Sequence, residues 1–458
     1  MQGGRVVTAG ADGDADVLID GDRVTAVEPG IDMPVDRVLD AHGCYVLPGA
    51  VDPHTHLDMP WGETSTCDDF TSGTVAAACG GTTTIVDFCV QQPGQRIADA
   101  LDEWHAKLRR TPPVVDVGFH LAVTDLAVPQ AEADLVAAVR AGVTSFKLFM
   151  AYKGSLMVDD ETLFRTMRAA ADLGALVLVH AENGGVVEVL VREALAAGHV
   201  EPRWHALTRP PAVEAEATAR AIALARIAGC DLYVVHVSCA EALAPVAAAR
   251  AAGERVWGET CPQYLLLDES LLAAPGFEGA KAVFTPPPRA PEHQAHLWLA
   301  LAGDELCVVS TDHCPWTFDE QKALGRGDFS RIPNGAPGIE YRLALLHEFG
   351  VRSGRFDLRR MVELVATNPA KLFGLHPRKG TLAPGADADL VIFDPAVEHV
   401  CSSATEHSRV DYCLYEGKAV HGWPRTVLAG GRVVAENGEP VAGAGAGRFL
   451  ARGSVTWP

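Results

Sequence analysis

Between about residues 45 and 310, short apolar runs of strand length alternate with alanine-rich stretches of helical period. No other feature narrows the fold as far, because strand-helix repeats specify βα units and a parallel sheet. The strand candidates are, in order, Tyr45 to Val51, Thr82 to Phe88, Val115 to Ala122, Val143 to Phe149, Leu176 to Val179, Leu232 to Val235, Arg255 to Gly258 and Leu306 to Ser310. Eight such strands close an α/β barrel. Between them Ile97 to Arg109, Glu161 to Leu173 and Ala212 to Ala228 carry apolar residues at three- and four-residue intervals, the period of a helix with one buried face. The flanks read differently. Near the start, Arg5-Val6-Val7, Val17-Leu18-Ile19 and Val24 to Val27 alternate with the turn signals Asp12-Gly13 and Asp20-Gly21-Asp22, a hairpin pattern with no helix. The same style returns after Gly380 in Ala388 to Phe393 and Thr426 to Leu428. The run Gly-Gly-Arg-Val-Val stands at Gly3 to Val7 and again at Gly430 to Val434, which suits two chain ends sharing one small β-sandwich. The predicted organisation is α/β: a (β/α)8 TIM-like barrel over residues 48–378, with a β-sandwich built from residues 1–47 and 379–458.

A chain of 458 residues has room for both modules, and 48% hydrophobic with 21% charged residues is a globular rather than a disordered composition. The formal charge of −21 argues against binding a nucleic-acid backbone or an anionic membrane surface, which leaves a small molecule as the expected partner. No apolar run approaches bilayer length; Ala175 to Val179 is typical, and it is strand-sized. Eleven cysteines are scattered without a Cys-x-x-Cys pair. The opening MQGGRVVTAG has no basic segment followed by an apolar core, so a reducing, cytoplasmic setting is predicted.

In a barrel of this kind the chemistry belongs at the carboxyl ends of the strands. The side chains found there are unusual. His54 and His56 follow the first strand at a spacing that turns both imidazoles the same way, His180 ends the fifth, His236 ends the sixth and Asp312 follows the eighth. One histidine at a strand end is an ordinary polar residue on a core strand. Four of them with an aspartate, all converging on one rim, point to a zinc-class metal site. His120, His199, His205, His293, His296 and His347 lack this placement and read as surface or structural residues. Lys147 is the odd member, set between Phe146 and Leu148 in the fourth strand. A buried lysine is normally paired, deprotonated or chemically changed. It can also snorkel to the rim, or its neutral amine can take up carbon dioxide to form a carbamate that bridges two metals.

The segments GAVDPHTHLDMP, CGGTTTIVDF, SFKLFMAYKG, LVLVHAEN, LYVVHVSCA, VWGETCPQYL, STDHCPW, RIPNGAPGIE and GTLAPGADADLVIFDP occur in this order. Together they resemble the hydantoinase and dihydropyrimidinase branch of the cyclic amidohydrolases, from roughly residue 4 to residue 445. The resemblance implies a distorted α/β barrel with a β-sandwich, two zinc ions and a homotetramer. It implies that His54, His56 and Asp312 hold one metal, that His180 and His236 hold the other, and that carboxylated Lys147 and a hydroxide bridge the two. Asp312 would orient the hydroxide and pass its proton to the leaving nitrogen. Tyr152 would stabilise the oxyanion, and Thr285 and Asn334 would contact the substrate. Relatives usually read Ser-Pro-Pro-Leu-Arg where this chain has Thr285-Pro286-Pro287-Pro288-Arg289, so the hydroxyl at Thr285 is kept and a methyl is added.

The activity implied is opening of dihydropyrimidines and 5-monosubstituted hydantoins to N-carbamoyl amino acids. Dihydroorotase-like and allantoinase-like amidases are the alternatives, together with a non-catalytic relative serving as an interaction protein. All six metal positions carry a ligand-competent residue, which disfavours the last of these. Dihydroorotases place an arginine after their HxH motif to grip a carboxylate; here Leu57 and Asp58 follow, and Asp58 is expected to repel a carboxylated ring. Trp61, Leu156 and Met157 are expected to form an apolar lid over the ring substituent.

Overall fold

The computed structural model describes residues 1–443 and 447–457. Eight parallel strands stand side by side in chain order: Ala50–Thr55, Thr82–Val90, Asp116–Ala122, Ser145–Phe149, Leu176–His180, Leu232–Val234, Val256–Thr260 and Val308–Val309. They are buried on both faces, as a parallel sheet wrapped in helices must be. Seven of them, and the helices Ile97–Arg110, Asp160–Leu173 and Pro211–Ala228, begin and end within about two residues of the expected bounds.

The first expected strand is a correction. The apolar run from Tyr45 to Val51 is split between two sheets. Tyr45–Pro48 lies parallel to Gly4–Val7 and antiparallel to Leu390–Val400 in the second module, and only Ala50–Thr55 enters the barrel. The joint is Gly49, where a Cβ atom would lie 2.1 Å from Thr83 Oγ1, so the chain can cross against the second strand only without a side chain. Hydrophobic periodicity cannot register this break, since both halves are equally apolar.

The second module is one mixed sheet of eight strands drawn from both flanks. Its order is Glu439–Pro440, Arg432–Glu436, Ala419–Ala429, Leu390–Val400, Tyr45–Pro48, Gly4–Val7, Asp12–Asp20 and Arg23–Glu28. Val6, Val17, Val24, Val46, Leu390, Ile392 and Leu428 form its core. Lys379 ties this sheet to the barrel, with its ammonium 2.8 Å from Asp116 on the third barrel strand and 2.9 and 2.6 Å from Asp387 and Asp389.

The barrel is thinnest between its eighth and first strands. They meet through a bridge between Thr55 and His313 and through His56 N–H donating to His313 O at 2.8 Å. Thr311 adds a hydroxyl bond to the Asp52 carboxylate at 2.6 Å. Below these, buried Arg342 takes the place of a ladder: one guanidinium nitrogen donates to Val51 O at 3.1 Å and Val309 O at 3.0 Å, and another to Thr82 Oγ1 at 3.0 Å. Asp52, 3.7 Å away, supplies the countercharge that makes a buried guanidinium tolerable. The opposite end of the barrel is closed by the segment after the mixed sheet. Leu450 N–H donates to Val117 O at 2.8 Å, and Arg452 reaches inward to Ser145 Oγ at 2.8 Å. All eleven cysteines are free, and among the described residues no helix is long and apolar enough to cross a membrane.

Candidate active site

The strand ends opposite Arg452 gather the side chains that the sequence singles out. His54 Nε2 lies 3.1 Å and His56 Nε2 3.3 Å from the same oxygen of Asp312, so three donor atoms from the first and eighth strands share one point. His180 Nδ1 and His236 Nε2 lie 2.9 Å apart on the fifth and sixth strands. The two groups are neighbours, with the His54 and His236 ring centroids 5.5 Å apart. Lys147 enters between them from the fourth strand, and all six residues line one pocket together with Tyr152, Thr285 and Asn334. Tyr152, His236 and Asp312 adopt φ of 68°, 39° and 51°. Left-handed backbone at bulky residues costs about 1–3 kcal/mol each, so three such positions around one pocket mark a place where side-chain aim outweighs local stability.

Two carboxylates missing from the sequence reading hold the histidines. Glu259, at the end of the seventh strand, takes His54 Nδ1 at 2.5 Å and the Tyr233 hydroxyl at 2.8 Å. Glu182, two residues after His180, takes His180 Nε2 at 3.0 Å. Carboxylates behind imidazoles fix ring orientation and leave the opposite nitrogen free as a ligand. The signal was available, since Glu259 occupies the same strand-end position used to pick out the histidines. Phe88 is also part of the site, with its ring 4.8 and 4.9 Å from those of His54 and His56.

The sequence profile of the amidohydrolase family matches residues 45–434, which span the eight barrel strands and about half of the mixed sheet. The chain belongs to the amidohydrolase family. It is 51% identical to a D-hydantoinase of Geobacillus stearothermophilus over 99% of this chain and 96% of that one. A dihydropyrimidinase of Arabidopsis thaliana is 43% identical over 96% of this chain and 82% of its own length. Among solved structures, dihydropyrimidinase from Brevibacillus agri superposes with a TM-score of 0.98 at 51% identity, covering 100% of this chain and 99% of that one. L-Hydantoinase from Arthrobacter aurescens superposes at 0.89 with 31% identity, covering 98% of this chain and 99% of that one.

In this amidohydrolase the donor set fits divalent cations. Burial opposes an imidazolium at His54, but Asp312 and Glu259 outweigh it and push that group up to about 9. The field at the site therefore calls for positive charge, which a divalent cation supplies more strongly than a proton. His56 is pushed down to about 4 by burial, and His236 falls well below the usual imidazole range by burial and by neighbouring His180. Both are held neutral, the metal-ligating form. Burial would raise Asp312, yet His54 and His56 hold it far below the usual carboxylate range, so it is an anion. Lys147 Nζ is fully buried with no hydrogen-bond partner among the described residues, and burial, against the pull of Glu259 and Asp312, brings it down to about 7. An amine left neutral and unpartnered beside two groups of metal donors is the chemical state that reacts with carbon dioxide.

Two readings of the rim change. Asp58 does not line the pocket: its carboxylate pairs with Arg110 at 2.6 Å, while Lys107 donates to its backbone oxygen at 2.7 Å. Charge repulsion by Asp58 is therefore not what would exclude a carboxylated ring. Trp61 and Leu156 do line the pocket, but Met157 is replaced there by Met59 and Cys314. Met157 turns toward Gly184, whose Cβ position lies 2.8 Å from its sulfur. His120 and His205 are structural, as expected. His120 bonds Ser145 Oγ at 2.6 Å and Pro53 O at 2.9 Å, and His205 bonds Phe284 O at 2.9 Å.

Proposed function

We propose that this chain hydrolyses the cyclic amide bond of dihydropyrimidines and 5-monosubstituted hydantoins, releasing N-carbamoyl amino acids. His54, His56 and Asp312 would hold one divalent cation and His180 and His236 a second, with carboxylated Lys147 as a ligand shared by both. Zinc suits this set of imidazoles and carboxylates. The observation that carries the reading is the orphaned, buried Lys147 amine standing between the His54–His56–Asp312 and His180–His236 groups.

A ring amide resists hydrolysis because resonance blunts its carbonyl and its nitrogen leaves poorly. The cations supply Lewis-acid polarisation of the carbonyl and a source of hydroxide at neutral pH. The protein's own side chains do the rest. Asp312 is an anion at the focus of two imidazoles, placed to accept a proton from the attacking water and return it to the departing nitrogen. Tyr152 presents its hydroxyl from a strained turn, with burial pushing the phenol up so that it stays a donor; it stabilises the oxygen on which charge develops. Thr285 and Asn334 hold the ureide ring, with Asn334 O itself braced by Trp316 Nε1 at 3.0 Å. Met59, Trp61, Leu156 and Cys314 contact the ring substituent. Apolar walls discriminate by only about 1–3 kcal/mol per methylene, so a range of substituents is accepted.

Among the pocket-lining residues there is no arginine, and the single lysine is Lys147. That favours a neutral ring over dihydroorotate. The test is metal analysis together with kcat/KM for dihydrouracil, 5-substituted hydantoins, allantoin and dihydroorotate. Dihydroorotate or allantoin as the preferred substrate would overturn the assignment.

A further inference from the structure

Lys322 is completely buried, and among the described residues no carboxylate lies within ion-pair distance of it. Its nitrogen instead sits among three backbone carbonyls: Val283 O at 2.7 Å, Pro333 O at 2.8 Å and Gly335 O at 2.7 Å. Three acceptors at such distances need three N–H bonds, which an ammonium has and a neutral amine lacks. Burial works against that charge, pushing Lys322 down to about 7. A position that needed only packing would be served better by methionine or leucine.

What the three carbonyls have in common is their place in the chain. Val283 precedes Thr285 by two residues, and Pro333 and Gly335 flank Asn334; Thr285, Asn334 and Gly335 all line the pocket. The two segments also touch directly, through Gly335 N–H donating to Val283 O at 3.1 Å. The turn that carries Lys322 is anchored in its own right. Gln321 donates to Thr64 Oγ1 at 2.8 Å and Ser65 O at 2.6 Å across the rim, and Asp411 accepts the N–H of Asp319 at 3.0 Å. A fixed turn therefore presents one cation to two pieces of the pocket wall that are otherwise joined by the Gly335–Val283 bond.

We propose that Lys322 is a positioning residue for substrate recognition, setting the spacing between the Thr285 and Asn334 segments so that both reach one ring. This rests on the reading above that those two residues hold the ureide. Lys322 does not itself line the pocket, so its loss weakens binding of substrate and transition state alike, which raises KM and spares kcat.

The experiment compares metal-loaded wild type, Lys322→Met and Lys322→Gln with dihydrouracil and a 5-substituted hydantoin as substrates. Lys379→Met serves as a buried-lysine control beneath the barrel. In Lys322→Met, with unchanged metal content, KM should rise by about tenfold or more while kcat stays within about threefold. Lys322→Gln, which keeps two donors, should fall between, and it carries the test if the methionine variant does not fold. Lys379→Met should lower the melting temperature and leave KM alone. A folded Lys322→Met enzyme with wild-type KM overturns the proposal. So does failure of both Lys322 variants to fold, which assigns the lysine to the framework. Wild type that opens no cyclic ureide refutes the functional reading itself, a result distinct from an unmoved KM in an active enzyme.

Discussion

Replacing Lys147 by methionine removes a buried amine while nearly keeping the length of the side chain, and the structure sets the sign of two separate consequences. Among the described residues Lys147 Nζ has no hydrogen-bond partner and faces the Phe88 and Phe149 rings at 5.0 and 5.1 Å, and burial lowers its pKa from 10.5 to about 7. Between those two values the unfolded chain holds a proton that the folded chain has released, so wild-type stability rises with pH across that window and carries the full penalty below it. At about 1.4 kcal/mol for each power of ten, the penalty is roughly 5 kcal/mol below pH 7 and roughly 3 kcal/mol at pH 8. Methionine carries no charge and packs well against aromatic rings. Metal-stripped Lys147→Met should therefore melt higher than stripped wild type at pH 6, by a margin that shrinks as the pH approaches 10. Supplying divalent metal and bicarbonate should reverse the order and leave the variant inactive. The assay is thermal melting at pH 6, 8 and 10, with metal analysis and turnover of a 5-substituted hydantoin. A stripped variant that melts below wild type at pH 6 would refute the burial argument. Retention of both metals with wild-type turnover would refute the bridging role.

Chelation should abolish activity, and zinc, manganese or cobalt should restore it; since imidazoles must be neutral to bind metal, affinity should weaken in mild acid, as equilibrium dialysis at pH 5 and 7 will show. Full activity in demonstrably metal-free protein would end the metal reading. Asp312→Asn should fold, as circular dichroism can check, yet lose orders of magnitude in kcat because an amide carries no proton; near-normal turnover would reassign the base. Tyr152→Phe should cost roughly 2.7–4 kcal/mol in the transition state with metal content unchanged, and a loss below tenfold in kcat would place the oxyanion elsewhere.

What was legible in the sequence was local and periodic. The strand and helix alternation gives seven barrel strands nearly in place, and the strand-end rule picks out residues that the fold gathers into one pocket. Four features lie outside that reading. The break at Gly49 turns on contact with Thr83, a neighbour met only in three dimensions. The partner of Asp58 is Arg110, on a helix after the next strand, so a charge that looked free in the sequence is neutralised in the fold. Glu259 lies beyond the expected end of the seventh strand at Gly258, which is two residues short of the observed end at Thr260, although its placement matches that of the histidines it supports. Arg342 and Lys322 are ordinary cations in sequence. Only folding surrounds them with backbone carbonyls.

The way the barrel is closed off below its chemistry bears on how the chain is made. Arg452 and Leu450 are the last-synthesised residues that seal its floor, and the mixed sheet likewise joins Tyr45–Pro48 to Leu390–Val400. As the chain leaves the ribosome, its opening strands find neither their sheet partners nor, for Ala50–Thr55, the far side of the barrel at Thr311 and His313. Contacts so distant along the chain form slowly and expose apolar edges while they wait. Neither module can be finished before these late segments have been made. The nascent protein must hold some four hundred residues of incomplete barrel in solution until its closing segment arrives, which makes it a natural client for chaperones.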